Sequence, residues 1–160
     1  MVLFQVPSNK EITFSLPCYY TIERKKTKVV NYKTKAGVQK TRFVKDTTHL
    51  VGLNWFRNAQ PFVQNKVKQH YHILILNALE GSKTVFEGKY STEYKYCFKN
   101  DCSDAGNVIS IIEKFALDGL KEAGVTFDDN VNYHIKSNGW TVEQDKLNPR
   151  VEIIIRECND

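Results

Sequence analysis

The stretch that decides the fold is residues 89–136, KYSTEYKYCFKNDCSDAGNVISIIEKFALDGLKEAGVTFDDNVNYHIK. Its first part, Lys89 to Lys99, is rich in aromatics and alternates, as a strand does. It runs directly into Asn100-Asp101-Cys102-Ser103-Asp104, a turn that offers two helix caps. A helix is predicted from about Ala105 to Ala123, with Ser103 or Asp104 as N-cap and Gly124 as stop. Val108, Ile111, Ile112, Phe115, Ala116 and Leu120 make its core stripe. Asn107, Ser110, Lys114 and Asp118 form a polar line on the opposite side. After Asp128-Asp129-Asn130 a strand is expected at Val131–Lys136. A loop with Gly139 and Trp140 then leads to Asn148-Pro149-Arg150 and a last strand, Val151 to Arg156.

Working outward, Glu11 to Leu16 sets Ile12, Phe14 and Leu16 against Thr13 and Ser15, the period of a half-buried strand, and Pro17 ends it. Residues 27–34 and 38–44 are β-prone runs around Lys35-Ala36-Gly37 and read as a hairpin. Asn54 to Leu79 has helical spacing, with Trp55, Ala59, Phe62, Val63, Val67, Leu74 and Ala78 near one side. Pro61 must kink this helix or start one, and Gly81 is its expected end. His70 and His72 are two apart and cannot share a helical face as metal ligands. These elements predict an α/β (α+β) fold over residues 1–160, a small mixed sheet flanked by two main helices in a single domain.

Size and composition agree: 160 residues, 41% hydrophobic and 26% charged, lie in the globular range rather than the disordered one. No apolar run approaches a membrane span, and the N-terminus lacks the basic start and cleavage site of a signal peptide, so a cytoplasmic protein is expected. Cys18, Cys97, Cys102 and Cys158 include no tight pair and are read as free thiols.

Charge is unevenly placed. Arg24, Lys25, Lys26, Lys28, Lys33, Lys35, Lys40, Arg42 and Lys45 fall in one stretch without an acid, so that segment carries +9 against a net +5. Tyr19, Tyr20, Tyr32 and Phe43 interleave with these cations. Such a segment suits phosphate contact, because each neutralised phosphate releases condensed counterions. Aromatics beside cations can stack on bases or pack the hairpin against the body.

The other chemistry lies in three pieces: Asp101 and Asp104 at the strand-to-helix turn, Lys114 on the helix, and Asp128 and Asp129 before the next strand. Carboxylates of this kind suit Mg²⁺, with Mn²⁺ as a substitute, and such ions activate water at a phosphodiester. A lysine can add positive charge to that transition state. A helix of about 20 residues spans roughly 30 Å. The two acidic clusters therefore meet only if the chain after Gly124 turns back along the helix.

The run SDAGNVISIIEKFALDGLKEAGVTFDDNVNYHIKS, followed by NPRVEIIIRE, is similar to the core of the RusA family of Holliday junction resolvases. The resemblance rests on Asp104 with Asn107, Lys114, the Asp118-Gly-Leu-Lys-Glu-Ala-Gly124 helix ending, Asp128-Asp129, and Arg150-Val-Glu-Ile. It implies a homodimeric endonuclease, often phage-borne, that cuts branched DNA by metal-assisted phosphodiester hydrolysis. It also implies Asp104 and Asp129 as metal-binding carboxylates, Asp128 as a further ligand, and Lys114 as the catalytic lysine. One departure matters: the family's D-x-D-N is here Asp104-Ala105-Gly106-Asn107, with glycine for the second aspartate and an extra helical turn before Lys114. Asp101 is the preferred replacement, ahead of Glu113 or of a site with fewer carboxylates. The alternative is a RusA-like DNA- or protein-binding module that has lost catalysis; an RNA-binding domain built on the tyrosine-bearing hairpin ranks third.

Overall fold

The computed structural model describes residues 10–24, 29–101 and 103–158. Lys25, Lys26, Lys28 and Cys102 lie outside the described residues. The order is β1 (Glu11–Pro17), β2 (Tyr19–Ile22), β3 (Val29–Lys33), β4 (Gln39–Phe43), β5 (Thr47–Leu50), α1 (Leu53–Asn58), α2 (Pro61–Ala78), β6 (Tyr90–Phe98), α3 (Ala105–Glu122), β7 (His134–Gln144) and β8 (Arg150–Glu157). The fold is mixed α+β, as the sequence predicts.

Four strands form the main sheet in the order β1-β8-β6-β7. β8 is antiparallel to both β1 and β6, and only β6 and β7 are parallel. Alternation gives each strand two faces. Ile12, Phe14, Leu16, Tyr90, Tyr94, Tyr96, Val151, Ile153 and Ile155 join the helices in one hydrophobic core. The opposite face carries ion pairs: Arg156 bonds Glu11 and Glu93 at 2.7 Å each, and Arg150 bonds Asp145 at 2.6 Å and Glu152 at 2.5 Å. Lys95 pairs with Glu143 on the same side. Being largely solvated, these pairs contribute little stability individually, but they keep the uncovered face polar.

Helix α3 is amphipathic as predicted, and its whole expected stripe is buried. Asp104 is its N-cap, accepting a hydrogen bond from Asn107 N at 3.2 Å. Gly124, at φ 70°, makes the left-handed turn that ends it. Pro61 occupies the first turn of α2 and so starts that helix rather than kinking it.

The predicted apolar side of this region needs correction. Val63, Val67, Tyr71 and Ile75 are buried at four-residue spacing, whereas Phe62 is 57% exposed. The reason is phase: Ala59 and Gln60 are extended, so α1 and α2 are separate helices and α1 buries Phe56 rather than Trp55.

The two main helices pack at Gly119, where an added Cβ would stand 2.5 Å from Ile75 Cδ1 and 3.1 Å from Ile75 Cγ2. Gly119→Ala is expected to cost about 1–3 kcal/mol by overpacking. Urea denaturation checks this, and Ile75→Val in the same chain should recover part of the loss.

A second correction concerns the C-terminal strands. Residues 131–133 are a turn in which Asn130 O accepts from Tyr133 N and His134 N, so the strand begins at His134. It continues through Gly139 and Trp140, the expected loop, to Gln144. Pairing steps from Thr92↔Ser137 to Tyr94↔Trp140, leaving one extra residue on β7, and Gly139 at φ 81° takes up that bulge. No helix among the described residues is long and apolar enough to cross a membrane. Cys18, Cys97 and Cys158 are free thiols, and burial pushes Cys18 up to about 12, which keeps it protonated.

Candidate functional site

Two features bear on function: the acidic clusters at the ends of α3 and the basic arm formed by β2 to β5. Local hydrogen bonding fixes the acids. Asp101 is exposed in the turn after β6, where its Oδ1 lies 3.5 Å from Gln144 Nε2. Asp104 caps α3 one step further on. Asp128 Oδ1 accepts from Lys121 Nζ at 2.7 Å and Asp129 N at 2.9 Å, and its Oδ2 accepts from Asn130 Nδ2 at 2.6 Å. Tyr90 Oη donates to the Asp128 carbonyl at 3.1 Å, tying this turn to the start of β6.

The expected convergence does not occur within one chain. Asp104 stands at the N-terminus of α3 and Asp128 is bonded to Lys121 in its last turn. Those ends are seventeen residues apart, roughly 25 Å at 1.5 Å per residue. Topology is the reason. Helix α3 connects the parallel strands β6 and β7, so it must run back against both. The chain does return along the helix, but it starts from the Asp128 end and leaves the acid pair behind. A hard-cation centre needs its oxygens within about 2.0–2.6 Å of one ion. Asp101 and Asp104 together with Asp128 and Asp129 therefore do not fit one metal inside a protomer, and no group of three or more metal-ligating side chains occurs among the described residues.

Lys114 is exposed near the middle of α3, on the polar line with Ser110 and Asp118. Glu113 accepts a 2.8 Å hydrogen bond from Tyr94 Oη, which pins it over the sheet. Ser110 Oγ donates to Gly106 O at 2.6 Å. Gly106 itself is unconstrained, since a Cβ there meets only Asp104 Oδ1 at 3.5 Å.

The Lys121 hydrogen bond, followed by that from Asp129 N, draws the Asp128 carboxyl down from 3.8 to about 2. A carboxylate with a lowered folded pKa stabilises the turn above about pH 4, and that contribution disappears as pH falls towards 2. Carbon-detected NMR titration should give an Asp128 midpoint near the low value, and Lys121→Ala should move it back towards 3.8. Sequence reading missed Lys121, for which a basic residue in the helix's last turn was the available signal.

The basic arm is where the sequence places it. β2 pairs with β5 at its root and β3 with β4 at its tip, all antiparallel. Thr34 and Gly37, the latter at φ 75°, close the turn. Arg24, Lys33, Lys35, Lys40, Arg42 and Lys45 are all exposed. Tyr32, Lys40 and Arg42 share one face of the ribbon, with the Arg42 guanidinium 5.5 Å from the Tyr32 ring centre. Lys33 and Phe43, the latter 67% exposed, lie on the other. Cations therefore project from both faces of a two-stranded ribbon, a shape that the major groove of duplex DNA admits.

A scan against models of known protein families finds none that matches this chain, and no curated protein matches it either.

Proposed function

We propose that the protein binds branched DNA through its basic arm and that a single protomer has no hydrolytic centre. The carrying observation is the ribbon of Lys33, Lys35, Lys40 and Arg42, exposed on both faces and with no acidic residue on either strand. Phosphate contacts from such cations supply most non-specific DNA affinity. This corresponds to the non-catalytic RusA-like reading, in a cytoplasmic setting.

One observation favours a second reading, the magnesium-dependent endonuclease. On the polar line of α3 between the two acidic ends Ser110 and Lys114 are exposed, and Lys114 lies about halfway along it. In a homodimer whose α3 helices run antiparallel across a two-fold axis, Asp104 would face Asp129 of the partner subunit. Each centre would then be shared by two copies.

Both readings are tested by incubating a labelled four-way junction with the protein and Mg²⁺ or Mn²⁺. A retarded complex without nicking supports the binding protein. Metal-dependent nicking, abolished by Asp104→Asn and by Lys114→Ala, supports the enzyme. Mixing Asp104→Asn and Asp129→Asn protomers then locates the centre: a shared site leaves one intact centre per mixed dimer, whereas a site within one chain leaves none.

A further inference from the structure

Beside the root of the arm, strand β2 and the α1–α2 junction enclose a cleft of about 800 Å³, within the size range of ligand sites. Its walls are largely aromatic and polar, with two cations, Arg24 and Lys66, against one carboxylate, Glu23. Tyr20, Trp55 and Phe62 supply rings, Arg24 and Lys66 supply charge, and His70 closes one side. Trp55 is held from behind by the His49 ring, stacked at 5.0 Å with 21° between planes. Tyr20 is set edge-on to His70 at 5.3 Å. Lys66 Nζ lies 6.0 Å from the centre of the Phe62 ring. Burial lowers the His70 pKa, so this ring is neutral at pH 7 and adds aromatic surface rather than charge.

Three observations select an occupant. First, Phe62 is 57% exposed although the Val63, Val67 and Tyr71 positions beside it are buried, so the core does not use it. Second, neither the Arg24 guanidinium nor the Lys66 ammonium has a carboxylate partner among the described residues; Arg24 meets Asp46 only through its backbone N–H, at 2.7 Å. Third, the cleft adjoins the arm, because Arg24 also lines a second hollow together with Arg42 and Lys45. Flat rings placed among unpaired cations complement a ligand that is both planar and anionic. Single-stranded nucleic acid has that chemistry, with bases that stack on aromatic side chains and phosphates that meet Lys and Arg.

We infer that this cleft holds unpaired bases of a DNA strand whose backbone is tracked by the arm. The inference rests on the DNA-binding reading and adds to it a preference for unpaired segments, such as those beside a branch point. Arg24 is placed to serve both surfaces, and Phe62 and Trp55 are the stacking residues.

The test uses the full chain carrying Trp140→Phe, so that Trp55 is the only indole. Titration with a 15-nucleotide oligothymidylate should quench Trp55 emission, and a blunt duplex of equal length should not. Phe62→Ala should weaken oligothymidylate binding by roughly 5- to 150-fold, the range that one lost stacked base represents. Lys66→Ala should weaken it and flatten its salt slope by about 0.7, one phosphate contact on a single strand. Both should leave duplex affinity within about a factor of two. An oligouridylate arm tells whether the strand must be DNA; tighter binding of the RNA would overturn the choice of DNA. Duplex binding by an arm whose cleft variants leave oligothymidylate binding unchanged overturns the cleft inference and spares the DNA-binding reading. Loss of all nucleic-acid binding in the parent chain overturns both.

Discussion

Replacing Lys33, Lys35, Lys40 and Arg42 together by alanine is expected to lower affinity for a four-way junction by roughly 1,000- to 10,000-fold at about 0.1 M salt. Each phosphate neutralised on duplex DNA contributes a slope near −0.9 in log K against log salt, or roughly one decade of affinity at that concentration. Four lost contacts therefore remove between three and four decades and flatten the slope by about the same number. The four side chains are exposed on a ribbon whose register is set by its own backbone pairing, so the fold should survive. Lys-to-Arg exchange at the three lysines keeps the charge and should keep the affinity. Fluorescence anisotropy over a salt series reads both the affinity and the slope. A variant with unchanged slope would mean that the arm does not touch phosphate.

Phe115→Ala is expected to cost about 3–5 kcal/mol, the usual range for deleting a fully buried aromatic ring. Phe115 has no exposed surface, lies 4.9 Å from the Tyr71 ring in a stacked arrangement and meets Phe56 edge-on at 5.3 Å. It thus joins α1, α2 and α3. Total stabilities run to about 5–15 kcal/mol, so the loss is a large share of the whole. For a chain of this length it corresponds to a fall of roughly 6–20 °C in melting temperature. Phe115→Leu, which keeps much of the volume, should cost clearly less. Calorimetry on the three proteins checks the order.

Much of the fold was legible because local signals agreed with one another. The α3 stripe, its Asp104 cap and its Gly124 stop all indicated the same helix, and the alternation in β1, β6 and β8 matched a sheet buried on one side. The failures share a cause, namely a break in phase that composition does not announce. The two extended residues before Pro61 reset the helical period, so Phe62 turned outward and Tyr71 inward. The Gly139 bulge carried β7 through what the sequence presents as a loop. In both places a single glycine or proline had two physical uses, and only pairing across the sheet or packing on the core decides between them.

The site was less legible than the fold. Each acidic residue sits on the element expected of it, with Asp104 at a cap and Asp128 in a turn. Whether the two clusters meet is a question of strand order, however, and no local pattern carries strand order. The parallel β6–α3–β7 connection separates them by the length of the helix. The arm fared better, because charge density and a Lys-Ala-Gly turn are both local. The cleft beside it was invisible: its rings come from β2 and from the α1–α2 junction, which lie far apart in the chain.

The most direct measurement is the affinity of the wild-type protein for a labelled four-way junction, taken by anisotropy from about 0.05 to 0.2 M salt. The expected result is a complex whose log K falls linearly with log salt, with a slope of at least about −3 to −4. An affinity that does not respond to salt, or no complex with any DNA, would contradict the proposal that this basic arm binds the phosphate backbone.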